Sequence, residues 1–94
     1  EYIDREYATN INTQVLAEKF GINSSYLSSL FKKEMNLNLS TYITKVRMRN
    51  ALLYLKEGKY RIAEISEMVG YQTPAYFSEQ FRREYGCNPK DYKF

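Results

Sequence analysis

Two pairs of adjacent cations stand at matching places in this chain. Lys32-Lys33 and Arg82-Arg83 lie 50 residues apart, each directly after a phenylalanine, Phe31 and Phe81. Paired cations near a helix end are either solvated charge favoured by the helix dipole or contacts for phosphate oxygens. Recurrence at equivalent points in two copies favours phosphate. Residue types for other chemistry are missing. The chain has no histidine and a single cysteine, Cys87. That removes Ser-His-Asp and Cys-His catalysis, general-base histidine and most zinc sites, and it leaves no disulfide framework. Neither an enzyme, a cofactor nor a metal site is expected, and Cys87 is assigned no nucleophilic role.

The charge is unevenly spread. Net charge is +3 over 94 residues, but residues 1–6 carry Glu1, Asp4 and Glu6 against Arg5. The remainder has 13 basic and eight acidic residues, which favours a polyanionic partner. No apolar run approaches membrane-spanning length, and no signal peptide is visible, so no membrane partner and a cytoplasmic location are expected. The chain begins with Glu rather than Met and reads as a piece of a longer protein.

The cations belong to a longer repeat. Leu16 to Tyr42 reappears as Ile65 to Tyr92, 49 residues apart through Ser24/Thr73 and 50 apart from Tyr26/Tyr76. From Tyr26 to Tyr42 the identities are Tyr26/Tyr76, Ser28/Ser78, Phe31/Phe81, Glu34/Glu84, Asn38/Asn88 and Tyr42/Tyr92. A period near 50 marks a repeated supersecondary unit, marginal in stability alone.

The elements that must position these residues are helical, since apolar spacing is helical and no segment shows sustained strand alternation. Tyr2, Ile3 and Tyr7 suggest a short first helix. Asn12 caps a second, with Val15, Leu16, Ala17 and Phe20 inward, ending at Gly21. The third follows the turn Ile22-Asn23-Ser24 and runs to about Met35, with Leu27, Leu30 and Phe31 inward. Ser40 is expected to cap a long fourth helix closed by Gly58, with Tyr42, Ile43, Val46, Met48, Ala51, Leu52 and Leu55 inward. Helix five takes Ile62, Ile65 and Val69 and stops at Gly70. Thr73-Pro74 starts helix six, whose inner face is Phe77, Phe81 and Tyr85. Gly86 ends it, and Pro89 permits a last turn carrying Tyr92. The fold class is all-α, about seven helices. One domain, 1–94, contains a first subdomain 1–38, a linker helix 39–58 and a second subdomain 59–94.

Each copy, a short helix, a glycine turn and a longer helix with basic residues, has the pattern of a helix-turn-helix. Gly21 and Gly70 permit the positive-φ corner, and small Ala17 and Ser66 allow close approach of the two helices. Inner faces lock the second helix of each pair and leave its outer face free for a major groove. The linker helix of about 18 residues spans roughly 27 Å, against ~34 Å between major-groove turns on one face of DNA.

These residues resemble the DNA-binding domain of AraC/XylS-type bacterial transcription regulators, over about Glu1 to Lys93. The second copy carries the resemblance most clearly, in EISEMVGYQTPAYFSEQFRREYGCNPKDY: Ile65, Gly70-Tyr71, Tyr76-Phe77, Phe81, Arg82-Arg83, Gly86, Pro89 and Tyr92. Tyr42-Ile43, Arg47-Met48, Ala51 and Leu55 match in the linker. The resemblance implies two helix-turn-helix subdomains bridged by a linker helix, and a role in activating or repressing transcription. It also implies a sensor domain N-terminal to this piece and RNA polymerase as a second partner beside double-stranded DNA.

Carried over by position, the first reading helix would present Ser24, Ser25, Ser28, Ser29 and Lys32 to bases. The second would present Pro74, Ala75, Ser78 and Glu79, together with Arg82. Serines contact bases promiscuously, so the first helix is expected to read sequence weakly. Glu79 is either a reader of cytosine N4 or an intrahelical partner of Arg82 or Arg83. Candidates for phosphate contact are Asn23, Tyr26 and Lys33 in the first copy and Gln72, Thr73, Tyr76, Arg82 and Arg83 in the second. Asn23, Ser24, Gln72 and Thr73 could also serve as caps only. Arg47, on a face shared with apolar residues, is expected to make a structural salt bridge, stem buried and head paired, rather than a DNA contact. The other function class, a helical protein-protein interaction module without DNA binding, requires an exposed apolar face.

Overall fold

The computed structural model describes residues 2–8 and 11–94. Among them are six α-helices, one 3-10 turn and no strand. They are α1 (Tyr2–Glu6), α2 (Thr13–Phe20), α3 (Ser24–Met35), α4 (Leu39–Glu57), α5 (Ile62–Met68) and α6 (Pro74–Tyr85), then the turn Pro89–Asp91. The seventh helical element is thus one turn. The chain forms two compact units, Glu1–Val46 and Arg47–Phe94, and the boundary falls inside α4.

In the first unit, Asn12 Oδ1 accepts from the Val15 N–H at 2.9 Å and starts α2. Gly21, at φ 68°, ends it. The Ile22 N–H then reaches back to the Ala17 carbonyl at 2.9 Å, closing a Schellman corner. This turn brings Leu16 into a cluster with Ile3, Ile11, Leu39, Ile43 and Val46, all buried, and Ala17 is buried too. Tyr7, Leu27, Phe31 and Tyr42 pack on that cluster. Each aliphatic side chain taken from water contributes about 1.5–3 kcal/mol. Tyr2, expected on the inner side of the first helix, has a side chain outside the described residues.

The second unit repeats the corner. Gly70 sits at φ 100°, and the Tyr71 N–H donates to the Ser66 carbonyl at 2.9 Å. Its core is Met48, Ala51, Ile65, Val69, Phe77 and Phe81, fully buried, with Ser66 and Tyr71 nearly so. The Arg47 guanidinium lies 5.2 Å from the Tyr71 ring centroid, a cation–π contact within the unit. Phe81 meets Tyr92 edge-on at 5.8 Å, as Phe31 meets Tyr42 at 5.4 Å in the first unit. The repeated aromatic pair is therefore scaffold in both copies, with Tyr42 and Tyr92 half-buried. Burial pushes the Tyr85 phenol above its ordinary value; Glu84 and Tyr92 add to the rise and Arg49 opposes it.

Three expectations are corrected. Ser40 does not cap α4. Asn38 does, its Oδ1 accepting from the Thr41 N–H at 2.8 Å, which leaves Ser40 inside the first turn. Val15 and Phe20 do not face a core: they are 39% and 55% exposed. Helical period alone places both inward, and the fold leaves more than a third of each in water. Leu30, also expected inward, is 39% exposed on α3.

Candidate nucleic-acid interface

On α3, the capping residue is Asn23. Its Oδ1 accepts from the N–H groups of Ser25 at 2.8 Å and Tyr26 at 3.2 Å, so the helix start is satisfied internally while the amide NH2 stays available. Ser24, Ser25, Ser28, Ser29 and Lys32 recur at i, i+1, i+4, i+5 and i+8 and are all exposed, making one hydroxyl-rich stripe. Tyr26 is 59% exposed beside it. Lys32 and Lys33 close the helix, exposed, with no ion pair to another described side chain.

On α6, Thr73 is the cap, its Oγ1 accepting from the Tyr76 N–H at 3.1 Å, and Pro74 takes the first helical position. Pro74 and Ala75 are exposed and Ser78 and Glu79 half-buried. Tyr76 is 52% exposed, matching Tyr26. Gln72 is exposed in the turn.

The second cation pair is not free. Arg83 Nη2 donates to Glu79 Oε1 at 3.1 Å, one helical turn apart. Of the two roles left open for Glu79, the intrahelical pair is therefore present. Exposed pairs of this kind are worth about 0–1 kcal/mol, too little to prevent either side chain from turning to DNA. Arg82 Nη1 donates to Asn88 Oδ1 at 3.0 Å. Sequence reasoning missed that bond, because six residues of separation across Gly86 is no helical spacing.

It also missed the bond that holds the second corner. The buried Ser66 hydroxyl donates to the Thr73 carbonyl at 3.1 Å, so α5 is tied to the residue that caps α6. Ala17 occupies that place in the first unit and has no hydroxyl. The caps refine the repeat itself. Asn23 and Thr73 are equivalent caps 50 residues apart, whereas Gly21 and Gly70 are 49 apart. The change of register therefore lies between glycine and cap, and Gln72 is the residue without a counterpart.

Among the described residues, no group of His, Cys, Asp or Glu is placed to hold a metal ion, and no helix is long and apolar enough to cross a membrane. Cys87 is unpaired and half-buried.

A family model described as a helix-turn-helix domain matches residues 16–93. The Msm operon regulatory protein of Streptococcus mutans is 33% identical over 91 residues, which cover 97% of this chain and 33% of that protein. The chain spans about a third of the length of the curated relatives it matches. Among solved structures, the C-terminal domain of the two-component response regulator yesN from Fusobacterium nucleatum superposes with a TM-score of 0.94 at 33% identity. That match covers 99% of this chain and 91% of that one. The DNA-binding domain of the transcriptional factor AdpA, solved in complex with a target DNA, shares the fold at a TM-score of 0.88 and 17% identity, covering 95% of this chain and 80% of that one. These matches run over nearly the whole chain, and it belongs to the AraC-type helix-turn-helix family of DNA-binding transcription regulators.

Proposed function

We propose that this domain reads an asymmetric double-stranded DNA site, with α3 and α6 in successive major grooves. The observation that carries the reading is the same arrangement met twice: a second helix that starts at a side-chain cap and ends at two exposed cations. In the first unit the base-facing candidates are Ser24, Ser25, Ser28, Ser29 and Lys32, and in the second Pro74, Ala75, Ser78 and Glu79. Asn23, Tyr26, Lys33, Gln72, Thr73, Tyr76, Arg82 and Arg83 would contact phosphates. The outward residues differ between copies, so the two half-sites would differ also. The role is binding without a catalytic step.

The AdpA structure on its target DNA supports this use of the fold. The names of relatives, among them a lactose operon transcription activator of Staphylococcus xylosus, support transcription control as the purpose. In the parent protein, a sensor domain would lie N-terminal to this one, RNA polymerase would be a second partner, and the location would be cytoplasmic on the nucleoid.

Selection of bound duplexes from a random pool tests the reading. A non-palindromic site with two blocks of preference is the expected result. Binding should weaken steeply with salt, as phosphate contacts release counterions. Absent or salt-insensitive binding would overturn it. Replacing Glu79 with alanine should relax preference at one position of one block.

A further inference from the structure

Asn38 and Asn88 are identical and equivalent in the two copies, yet their side chains do different work. Asn38 Oδ1 accepts from the Thr41 N–H and starts α4. Asn88 precedes the turn Pro89–Asp91 with an ordinary extended backbone, φ −70° and ψ 155°, and its side chain makes no capping bond. The turn closes without that side chain: the Asp91 N–H donates to the Asn88 backbone carbonyl at 3.0 Å. The side-chain oxygen is given instead to Arg82 Nη1, at 3.0 Å.

Arg82 stands exposed on the last turn of α6. A long arginine loses rotamer freedom when it grasps a phosphate, and a guanidinium already held loses less. One N–H of five is used by Asn88, which leaves four donors in a fixed fork. Lys32, the counterpart in α3, has a compact ammonium, and the equivalent Asn38 oxygen is committed to α4.

We propose that Asn88 is a positioning residue for DNA binding, holding the Arg82 guanidinium in place for a backbone phosphate so that the second unit grips DNA with a prearranged clamp and the first does not. This rests on the reading of Arg82 as a phosphate contact, and the two are separable. The 94-residue chain, with Arg82→Ala, Asn88→Ala and the double variant, is titrated with random-sequence duplex DNA over a range of salt, and each protein is melted. Arg82→Ala should weaken binding and make the slope of log K against log salt shallower by about one. Asn88→Ala should weaken binding roughly three- to tenfold with the slope unchanged, because orientation is lost and charge is not. Its melting temperature should match the parent's. In the Arg82→Ala background, Asn88→Ala should add nothing.

An unchanged slope in Arg82→Ala removes the phosphate reading and the proposal with it. A normal loss in Arg82→Ala overturns the proposal alone in either of two cases. One is that Asn88→Ala lowers stability and leaves affinity intact. The other is that it weakens binding equally in both backgrounds.

Discussion

The two units share a frame and differ in how firmly it is closed. Both have the Schellman corner, the polar cap and the edge-on aromatic pair. In the second unit, α6 sinks Phe77 and Phe81 completely, and the hydroxyl of Ser66 pins the turn. In the first, α3 has no fully buried side chain, its Leu27 and Phe31 are only half-covered, and Ala17 offers no bond to the turn. The exposed positions Phe20 and Ile22 correspond to Val69 and Tyr71, which are buried, Tyr71 beneath Arg47. Equivalent sequence therefore does not produce equivalent packing. The second unit buries its reading helix by two whole phenylalanines, and the first seats its own on side chains that stay half in water.

The largest test of that difference is Phe81→Ala against Phe31→Ala. Removing a fully buried phenylalanine costs about 3–5 kcal/mol, and Phe31, partly in solvent, should cost about half as much. Urea unfolding of both variants measures this, and equal losses would erase the contrast. Next is Ser66→Ala, which deletes the pin between α5 and Thr73 and should cost about 1 kcal/mol in the same assay. A loss near zero would mean the corner is held by its backbone bonds alone, as in the first unit.

Asn36→Gly should move the other way. Asn36 ends α3 at φ 62°, in the left-handed region that its twin Gly86 occupies at 82°. Glycine there should stabilise the first unit by about 0.5 kcal/mol, narrowing the gap between the units. The smallest effect concerns alkali. The raised Tyr85 phenol keeps its proton longer in the folded chain than in the unfolded one. Its contribution is therefore complete below the ordinary tyrosine range and is lost as pH rises from about 10 upward. Tyr85→Phe should flatten that loss in a series of melts at rising pH, with little change at neutrality.

Local signals in the sequence located most of the frame. Asn12, Asn23 and Thr73-Pro74 announced helix starts, and Gly21 and Gly86 announced ends, because caps and left-handed corners depend on a few adjacent residues. Competition between neighbouring cap candidates was harder: Asn38 and Ser40 are both good caps, and only the backbone shows which oxygen reaches an N–H. Periodicity identified a stripe containing Phe20 but could not say whether anything lay over it. The cations of α6 were legible as a pair, whereas their partners were legible only in part. Glu79 is one turn from Arg83 and was open to prediction. Asn88 reaches Arg82 because the chain turns back at Gly86, which no helical rule supplies. Likewise, the repeat was visible but its register break was placed too late, since Ser24 and Thr73 look alike as residue types and only Asn23 and Thr73 are alike as caps.

That break has a consequence for how such a domain could change. Gln72 is an insertion lodged between two self-contained fastenings, the corner closed by Tyr71 and the cap made by Thr73. Each fastening is local, so a residue added or deleted between them leaves both in place and every side chain at its angle around α6; the Ser66 bond to Thr73, which spans the turn, is the one that must be remade. What changes is where the helix begins relative to the one before it. Turn length is thus a separate variable from helix sequence: reading residues can be exchanged without re-aiming the helix, and the helix can be re-aimed without exchanging a residue that reads.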